Sequence, residues 1–442
     1  MSAPSAVVVG LGATGVSVIR HLHARGWQLV ATDTRAEPPG LPRVREIAPG
    51  MRVALGGLDE ALLADVDCVV ASPGLSLQDP FFVTARGLGL PVIGDIELFA
   101  RSGARPVAGI TGTNGKSTVT TLVAEMARAG GIDARAGGNL GPPALDLLNG
   151  EAADLYVLEL SSYQLETTSS LQLAAAVVLN VTPDHLDRYA DLGAYAGAKA
   201  SIYARSAVAI VNLDDPKVAS MPRPGQRRLD YSLRADSGAD YHLMDSDGRR
   251  WLACRGAPLL ACDELHVVGA HNMANALAAL AIGEALGLAR EPTLDALRAF
   301  RGLAHRAEWV ADIGGVRYVN DSKGTNVGAT LAAVTGLAGP LLLILGGDGK
   351  NQDFSPLRAA FAGKVRRALL IGRDAPLLAR ALKGVCELES CESLELAVTA
   401  AARVALPGDT VLLSPACASL DMFRNYAHRG QVFSAAVQRL AA

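Results

Sequence analysis

The stretch Gly109-Ile110-Thr111-Gly112-Thr113-Asn114-Gly115-Lys116-Ser117-Thr118 constrains this chain more than any other. It follows the short apolar segment Pro106-Val107-Ala108. It precedes Val119, Leu122, Val123 and Met126, which recur at i, i+3, i+4 and i+7 as one face of a helix. The spacing predicts a strand, a glycine-rich loop and a helix, in that order. Glycines let backbone N–H groups close on a phosphate. The helix N-terminus adds partial positive charge, Lys116 adds a full one, and the hydroxyl of Ser117 or Thr118 suits Mg2+. This reads as a triphosphate site. Ile110 stands where the strict GxxxxGK(S/T) pattern has its first glycine, but the core Gly112-x-x-Gly115-Lys116-Ser117-Thr118 is intact. The plainer alternative, a turn that only caps a helix, is disfavoured by the lysine and the strand–helix setting together.

A second glycine turn lies upstream. Val7-Val8-Val9 leads into Gly10-Leu11-Gly12-Ala13-Thr14-Gly15, then a helical stretch through Leu22, then a strand over 28–32 that ends in Asp33. Taken alone, this spacing points to a nicotinamide cofactor and an oxidoreductase, with Asp33 on a ribose. The turn itself recognises only a diphosphate on a helix N-terminus, so any nucleotide diphosphate fits. Thr34 and Arg35 are placed to reach a base or a phosphate. The alternative is that the glycines merely pack helix on strand. A strand over 68–71 runs into Ser72-Pro73-Gly74, another loop at the carboxyl edge of a parallel sheet, where ligands bind in this architecture.

At 442 residues the chain has room for two to four domains, and half its residues are hydrophobic, enough for large cores. A net charge of −3 and the lack of any basic block give no reason to expect nucleic-acid binding. Six cysteines include no CxxC pair, which argues for reduced thiols in a cytoplasmic protein. Neither a signal peptide nor a membrane-spanning run is expected. Nothing suggests an obligate oligomer, so a monomer is expected.

Several further positions carry chemistry. A strand over 154–158 ends in Glu159, either a Mg2+ ligand or a solvated strand-end carboxylate. His185, in Asn180-Val-Thr-Pro-Asp-His185, suits a metal or a phosphate oxygen, or neither. Lys199, in the helical stretch 195–203, reads by default as a surface lysine. Asn272 suits a helix cap, and His271-x-x-x-Asn275 would place two polar groups on one face, suited to a base edge. Residues 221–265 read as a small β-excursion with no assigned chemistry. Strand-like runs over 341–345, 368–371 and 410–413 alternate with helical ones, so a further parallel α/β sheet is expected. Lys323 and Lys350 sit in strand-end loops and suit carboxylates or phosphates, or are solvated charges. No nucleophile elbow GxSxG occurs.

Gly112-Thr-Asn-Gly-Lys-Ser-Thr118, Glu159-Leu-Ser-Ser162, Asn180-Val-Thr-Pro-Asp-His185, His271-Asn-x-x-Asn275, His305-Arg306 and Asn320-Asp-Ser-Lys323 occur in that order. The chain thereby resembles the Mur ligases, the ATP-dependent amino-acid ligases of peptidoglycan precursor synthesis, over nearly its whole length. The N-terminal turn, Asp33-Thr-Arg35, Gly346-Gly-Asp-Gly-Lys350 and Leu413-Ser-Pro-Ala-Cys-Ala-Ser-Leu-Asp-x-Phe423 narrow the resemblance to the branch that adds D-glutamate to UDP-N-acetylmuramoyl-L-alanine through an acyl phosphate. The Asp-Asn-Pro-Arg motif of the diaminopimelate- and lysine-adding members is absent.

The resemblance implies three α/β domains. Residues 1–94 would form a Rossmann-like UDP-substrate domain, 95–302 a central P-loop ATPase-like parallel sheet, and 303–442 a Rossmann-like amino-acid domain. It implies ATP on residues 112–118, with Asn272 and Asn275 at adenine and Arg306, Asp321 and Lys323 from the third domain. It implies two Mg2+ ions near Ser117 or Thr118, Glu159, His185 and a carbamoylated Lys199, with Lys116, Glu159, His185 and Lys199 as the catalytic set. Ala13, Thr14, Asp33, Thr34, Arg35, Ser72 and Gly74 would hold the UDP end, and Asn139 and His185 the muramoyl-alanine end. Thr325, Lys350, Ser419, Leu420 and Tyr426 would cradle glutamate; phenylalanine is usual at the Tyr426 position. Alternatives are a ligase for another amino acid such as L-glutamate, a folylpolyglutamate synthase, an ATP-hydrolysing switch, and the nicotinamide oxidoreductase. Three domains sharing one reaction also imply closure around the substrates.

Overall fold

A computed structural model describes residues 3–186, 188–267, 269–337 and 339–441. Its described residues form three sheets, each covered by helices, which is the three-domain α/β architecture. The first sheet is wholly parallel, ordered Arg52–Leu55, Gln28–Asp33, Ser5–Val9, Cys68–Ala71 and Val92–Ile93. Ser5–Val9 sits in the middle, so the glycine turn after it and the loop after Cys68–Ala71 emerge side by side at the carboxyl edge. A Cβ on Gly15 would stand 1.9 Å from the Gly10 carbonyl oxygen, so only glycine lets the helix Ala13–His23 start this close to the strand.

The second sheet has nine strands. Its parallel core runs Arg228–Ser232, Ser206–Asn212, Leu173–Val178, Val107–Thr111, Leu155–Glu159, Ala134–Gly138. Val107–Thr111 pairs with both Leu155–Glu159 and Leu173–Val178, which brings the loop after it, Glu159 and residues 180–185 to one edge. Val119, Leu122, Val123 and Met126 are buried against this sheet, the face their spacing predicts. The β-excursion over 221–265 proves to hold Arg228–Ser232 and Tyr241–Ser246, which pair parallel and continue the sheet, followed by Arg249–Cys254 and Ala257–Ala261, which add to it antiparallel. The sheet is therefore mixed rather than purely parallel.

The third sheet is ordered Glu308–Ile313, Val316–Asn320, Thr410–Leu413, Leu341–Gly346, Val365–Ile371, Glu387–Ser390. Leu341–Gly346 is buried along its whole length, as a parallel strand covered on both faces must be. The expectation of a parallel sheet is corrected at one edge, where Glu308–Ile313 pairs antiparallel with Val316–Asn320 across the Gly314-Gly315 turn. Its alternation of half-buried and exposed residues is too weak to be read as a strand without its partner. Among the described residues no helix is long and apolar enough to cross a membrane.

Candidate active site

Val107–Thr111 delivers the glycine loop, and the helix Lys116–Ala129 begins at its end. Gly115 caps that helix in the left-handed region, φ 85°, and a Cβ there would meet Asn275 Oδ1 at 2.5 Å. The loop is thus shaped by its own backbone and held against the helix Ala270–Leu286, which carries Asn272 and Asn275. Lys116 Nζ donates to the carbonyls of Gly112 and Thr113, each at 2.9 Å, curling over the loop. Thr113 Oγ1 and Asn114 N are tied to residues 180–182.

Two cavities flank this loop and share Asn114, Gly115, Arg306 and Lys323 as walls. The first, about 150 Å³, is also lined by Thr118, His271, Asn272, Asn275 and Asp321. The second, about 240 Å³, is also lined by Thr113, Lys116, Asn139, Glu159, His185, Lys199, Thr325 and Lys350. Residues more than 200 positions apart therefore meet here. Arg306 Nη2 donates to Ser117 Oγ at 2.6 Å, and Lys350 Nζ to Asp184 Oδ1 at 2.9 Å, so the third domain reaches into the middle one.

Glu159 is 2% exposed, which rules out a solvated strand-end carboxylate. Asn139 Nδ2 donates to its Oε1, while its Oε2 has no partner. Lys199 is 1% exposed, so the surface-lysine reading is corrected. Its helical spacing was right, but the helix Leu192–Ala200 turns that position inward. Lys199 Nζ donates to the Gly112 carbonyl at 3.0 Å and lies 4.5 Å from the Tyr195 ring centroid. Desolvation, with Lys116 adding repulsion, pushes its pKa well below the usual lysine value. Desolvation also lowers Lys116, and it takes Lys323 down to about 8, with Arg306 and Lys116 contributing. Burial raises Asp321 to about 6, against a hydrogen bond from Ser414 Oγ at 2.7 Å. The second cavity is thus walled by buried cations and by one carboxylate with an orphaned oxygen. Among the described residues no group of three or more His, Cys, Asp and Glu side chains is placed to hold a metal unaided.

The N-terminal residues gather as expected. Ala13, Thr14, Asp33, Thr34, Arg35, Ser72 and Gly74 all line one open cleft. Asp33, however, is already satisfied: it accepts from Leu11 N at 2.6 Å, from Arg35 N and Nε at 2.9 Å and from Arg35 Nη2 at 2.8 Å. Burial alone would raise its pKa, but Arg35 and these N–H groups outweigh that and bring it to about 2. Asp33 shapes the turn and fixes Arg35.

The expected glutamate set is only partly assembled. Thr325 and Lys350 line the second cavity; Ser419 and Leu420 do not, and Leu420 is 73% exposed. Tyr426 lies behind Lys323, whose Nζ is 3.9 Å from its ring centroid. Two residues that sequence reading gave no role also belong to the site. Asp184, beside His185, holds Lys350 and accepts from Asn326 Nδ2 at 3.2 Å. Asn326 also bonds Asn114, 212 positions away, and no local signal marks such a contact.

Three family models match in chain order. They are the Mur ligase MurD-like N-terminal domain over residues 4–94, the Mur ligase middle domain over 110–283, and the Mur ligase glutamate ligase domain over 305–417. The chain belongs to the Mur ligase family. The UDP-N-acetylmuramoylalanine--D-glutamate ligase of Methylococcus capsulatus is 50% identical, covering 98% of this chain and 95% of its own. The enzyme of the same name from Methylobacillus flagellatus is 51% identical, covering 98% and 96%. Two solved Mur ligases show the same fold. The UDP-N-acetylmuramate-alanine ligase MurC of Thermotoga maritima has a TM-score of 0.63 at 18% identity, covering 99% of both chains. The MurF ligase of Thermotoga maritima, solved with ADP, has a TM-score of 0.61 at 14% identity, covering 93% of this chain and 95% of its own.

Proposed function

We propose that this Mur ligase joins the amine of D-glutamate to the alanyl carboxylate of UDP-N-acetylmuramoyl-L-alanine, driven by ATP. The convergence of Lys116, Glu159, Lys199, Arg306, Lys323 and Lys350 around one glycine loop carries the reading. The half-identity to D-glutamate ligases supports the choice of substrates.

ATP lies along residues 112–118. Its adenine enters the first cavity beside Asn272 and Asn275, and Asp321 and Lys323 flank the phosphates. The UDP end occupies the N-terminal cleft, and the muramoyl-alanine end extends toward Asn139 and His185. The alanyl carboxylate attacks the γ-phosphorus, the bond to the ADP oxygen breaks, and an acyl phosphate forms. The glutamate amine then attacks the carbonyl carbon, phosphate leaves, and the nitrogen sheds a proton to give the amide. Lys116, Arg306 and Lys323 meet the charge that develops on the transferring phosphoryl group, and desolvation strengthens each contact. Lys350 and Thr325 hold the glutamate carboxylates; Ser419, Leu420 and Tyr426, which stand outside the second cavity, would reach that end only on closure of the domains.

The donor set fits Mg2+. Glu159 Oε2 is buried without a partner, and Mg2+ is commonly held by one or two carboxylates together with substrate phosphates. Ser117 or Thr118, Glu159, His185 and Lys199 would hold two ions, which would neutralise phosphate charge. Lys199 is suited to carbamoylation, because its burial favours the neutral amine that adds CO2 and loses a proton. The carbamate would replace a cation by an anionic oxygen ligand.

The test is phosphate release from ATP and Mg2+, with UDP-N-acetylmuramoyl-L-alanine present or absent and D-Glu, L-Glu, L-Lys and diaminopimelate offered in turn. Release that needs both the UDP-substrate and D-Glu is expected. Release with another amino acid would move the specificity to the residues around Lys350. Release without the UDP-substrate would overturn the ligase reading in favour of a hydrolytic switch.

A further inference from the structure

Arg188 lies in the connection between the strand Leu173–Val178 and the helix Leu192–Ala200, three residues past His185, but does not itself line either central cavity. Its side chain is 13% exposed and spans two domains. Nη1 donates to the carbonyls of Pro73 at 3.3 Å and Leu75 at 2.7 Å, which belong to the wall of the N-terminal cleft. Nη2 donates to Glu166 Oε2 at 2.8 Å, at the end of the short helix Ser162–Glu166 that follows Glu159. The guanidinium carbon stands 4.1 Å from the Tyr163 ring centroid, and the Tyr163 hydroxyl is 2.7 Å from His185 Nδ1. The Arg188 backbone N–H donates to the His185 carbonyl at 3.0 Å, closing the turn that holds His185 at φ 57°.

The geometry points to Arg188 as a positioning residue that locks the UDP cleft of the first domain to the His185 turn of the second. It rests on the proposed ligase reading for what the lock accomplishes, though not for the lock itself. One guanidinium fork fixes two carbonyls of the cleft wall, one carboxylate and one aromatic face. Each constrains a different element, and together they set the distance from the cleft to the reacting carboxylate. A substrate that stretches between cleft and glycine loop needs that distance fixed. Binding energy collected at the nucleotide end then orients the alanyl carboxylate at the other. A lysine cannot serve in its place, because a single ammonium has no planar fork to reach both carbonyls and the carboxylate at once.

The test is the Arg188→Lys variant, with Glu166→Gln as a milder second one that leaves both carbonyl bonds in place. In hydrogen exchange, Arg188→Lys is expected to speed exchange at residues 72–76 and 185–189 together, while the third sheet stays as in the wild type. Unchanged exchange at both loops would overturn the lock whatever the enzyme's substrates are. In steady state, kcat/KM for UDP-N-acetylmuramoyl-L-alanine is expected to fall about ten- to a hundredfold, with KM for ATP and D-glutamate within about twofold of wild type. Glu166→Gln should lose less than Arg188→Lys on the same substrate. An equal rise in all three KM values would mean a general loosening and would contradict the positioning role. A wild-type enzyme that releases no phosphate with this substrate set would contradict the ligase reading, and the exchange data would still decide the lock.

Discussion

The chain builds the same device twice: a parallel strand, a glycine turn and a helix that starts at the turn. The first, at residues 10–15, has no lysine in the turn. The acid on its neighbouring strand, Asp33, spends both oxygens on Leu11 and Arg35. The second, at residues 112–118, puts Lys116 at the helix start and gathers Glu159, Lys199, Arg306 and Lys323 around it. The backbone solution is shared and the electrostatics are opposite in purpose. One turn borders an open cleft suited to a diphosphate and a uridine. The other borders a desolvated pocket suited to moving a phosphoryl group. A glycine pattern specifies only how closely a backbone can approach a phosphate. The side chains that other strands deliver decide what happens to it.

The largest effect that would sharpen this contrast is at the second turn. Lys116→Ala should lower kcat about 10³-fold, the scale of removing a preorganised charge from a transition state. Thermal unfolding should shift little, because the cation is itself desolvated in the folded protein. A comparable loss of stability would make Lys116 a structural residue. Next, Glu159→Gln should raise the Mg2+ concentration needed for half-maximal activity about 10- to 100-fold, as loss of a metal-orienting group does. An unchanged Mg2+ titration would remove Glu159 from the ion site.

At the first turn the expected effects are smaller and fall on stability. The Asp33 pKa is depressed from the ordinary 3.8 to about 2. Its contribution is therefore complete above pH 4 and is lost as pH falls toward 2. Urea unfolding at pH 5 and at pH 3 should show the wild type losing about 0.5 kcal/mol more than Asp33→Asn, a figure halved because Arg35 is half exposed. Parallel losses would mean that the pair does not stabilise the fold. Smallest of all, NADH fluorescence should not change on mixing with the protein, since the acid that would hold a ribose is engaged. A clear change would revive the oxidoreductase reading and break the contrast.

Much of this was legible in the sequence, for identifiable reasons. The parallel strands read well because strands buried on both faces are continuous apolar runs, as over 341–345. The two glycine turns read well because each is a local spacing, whereas Ser72 and Gly74 reach the first turn's cleft through the strand order and are grouped with it only by the resemblance. Lys199 is brought to the site only by the resemblance, because one apolar helix turn says nothing about which neighbour covers it. Asp184 and Asn326 did not read well, because their task is to join two domains and neither has a periodic or spacing signal. Glu308–Ile313 did not, because a half-exposed edge strand takes its identity from the strand it pairs with.

The measurement that tests the central claim most directly is equilibrium binding of ATP and of UDP-N-acetylmuramoyl-L-alanine, measured separately on Lys116→Ala and on Arg35→Ala. The account predicts a double dissociation. Lys116→Ala should lose ATP affinity and keep the UDP-substrate, and Arg35→Ala should weaken the UDP-substrate about tenfold, the scale of one charge-assisted contact, and keep ATP. Loss of both ligands from either variant, or loss of the UDP-substrate from Lys116→Ala alone, would contradict the assignment of the two turns to the two ends of one reaction.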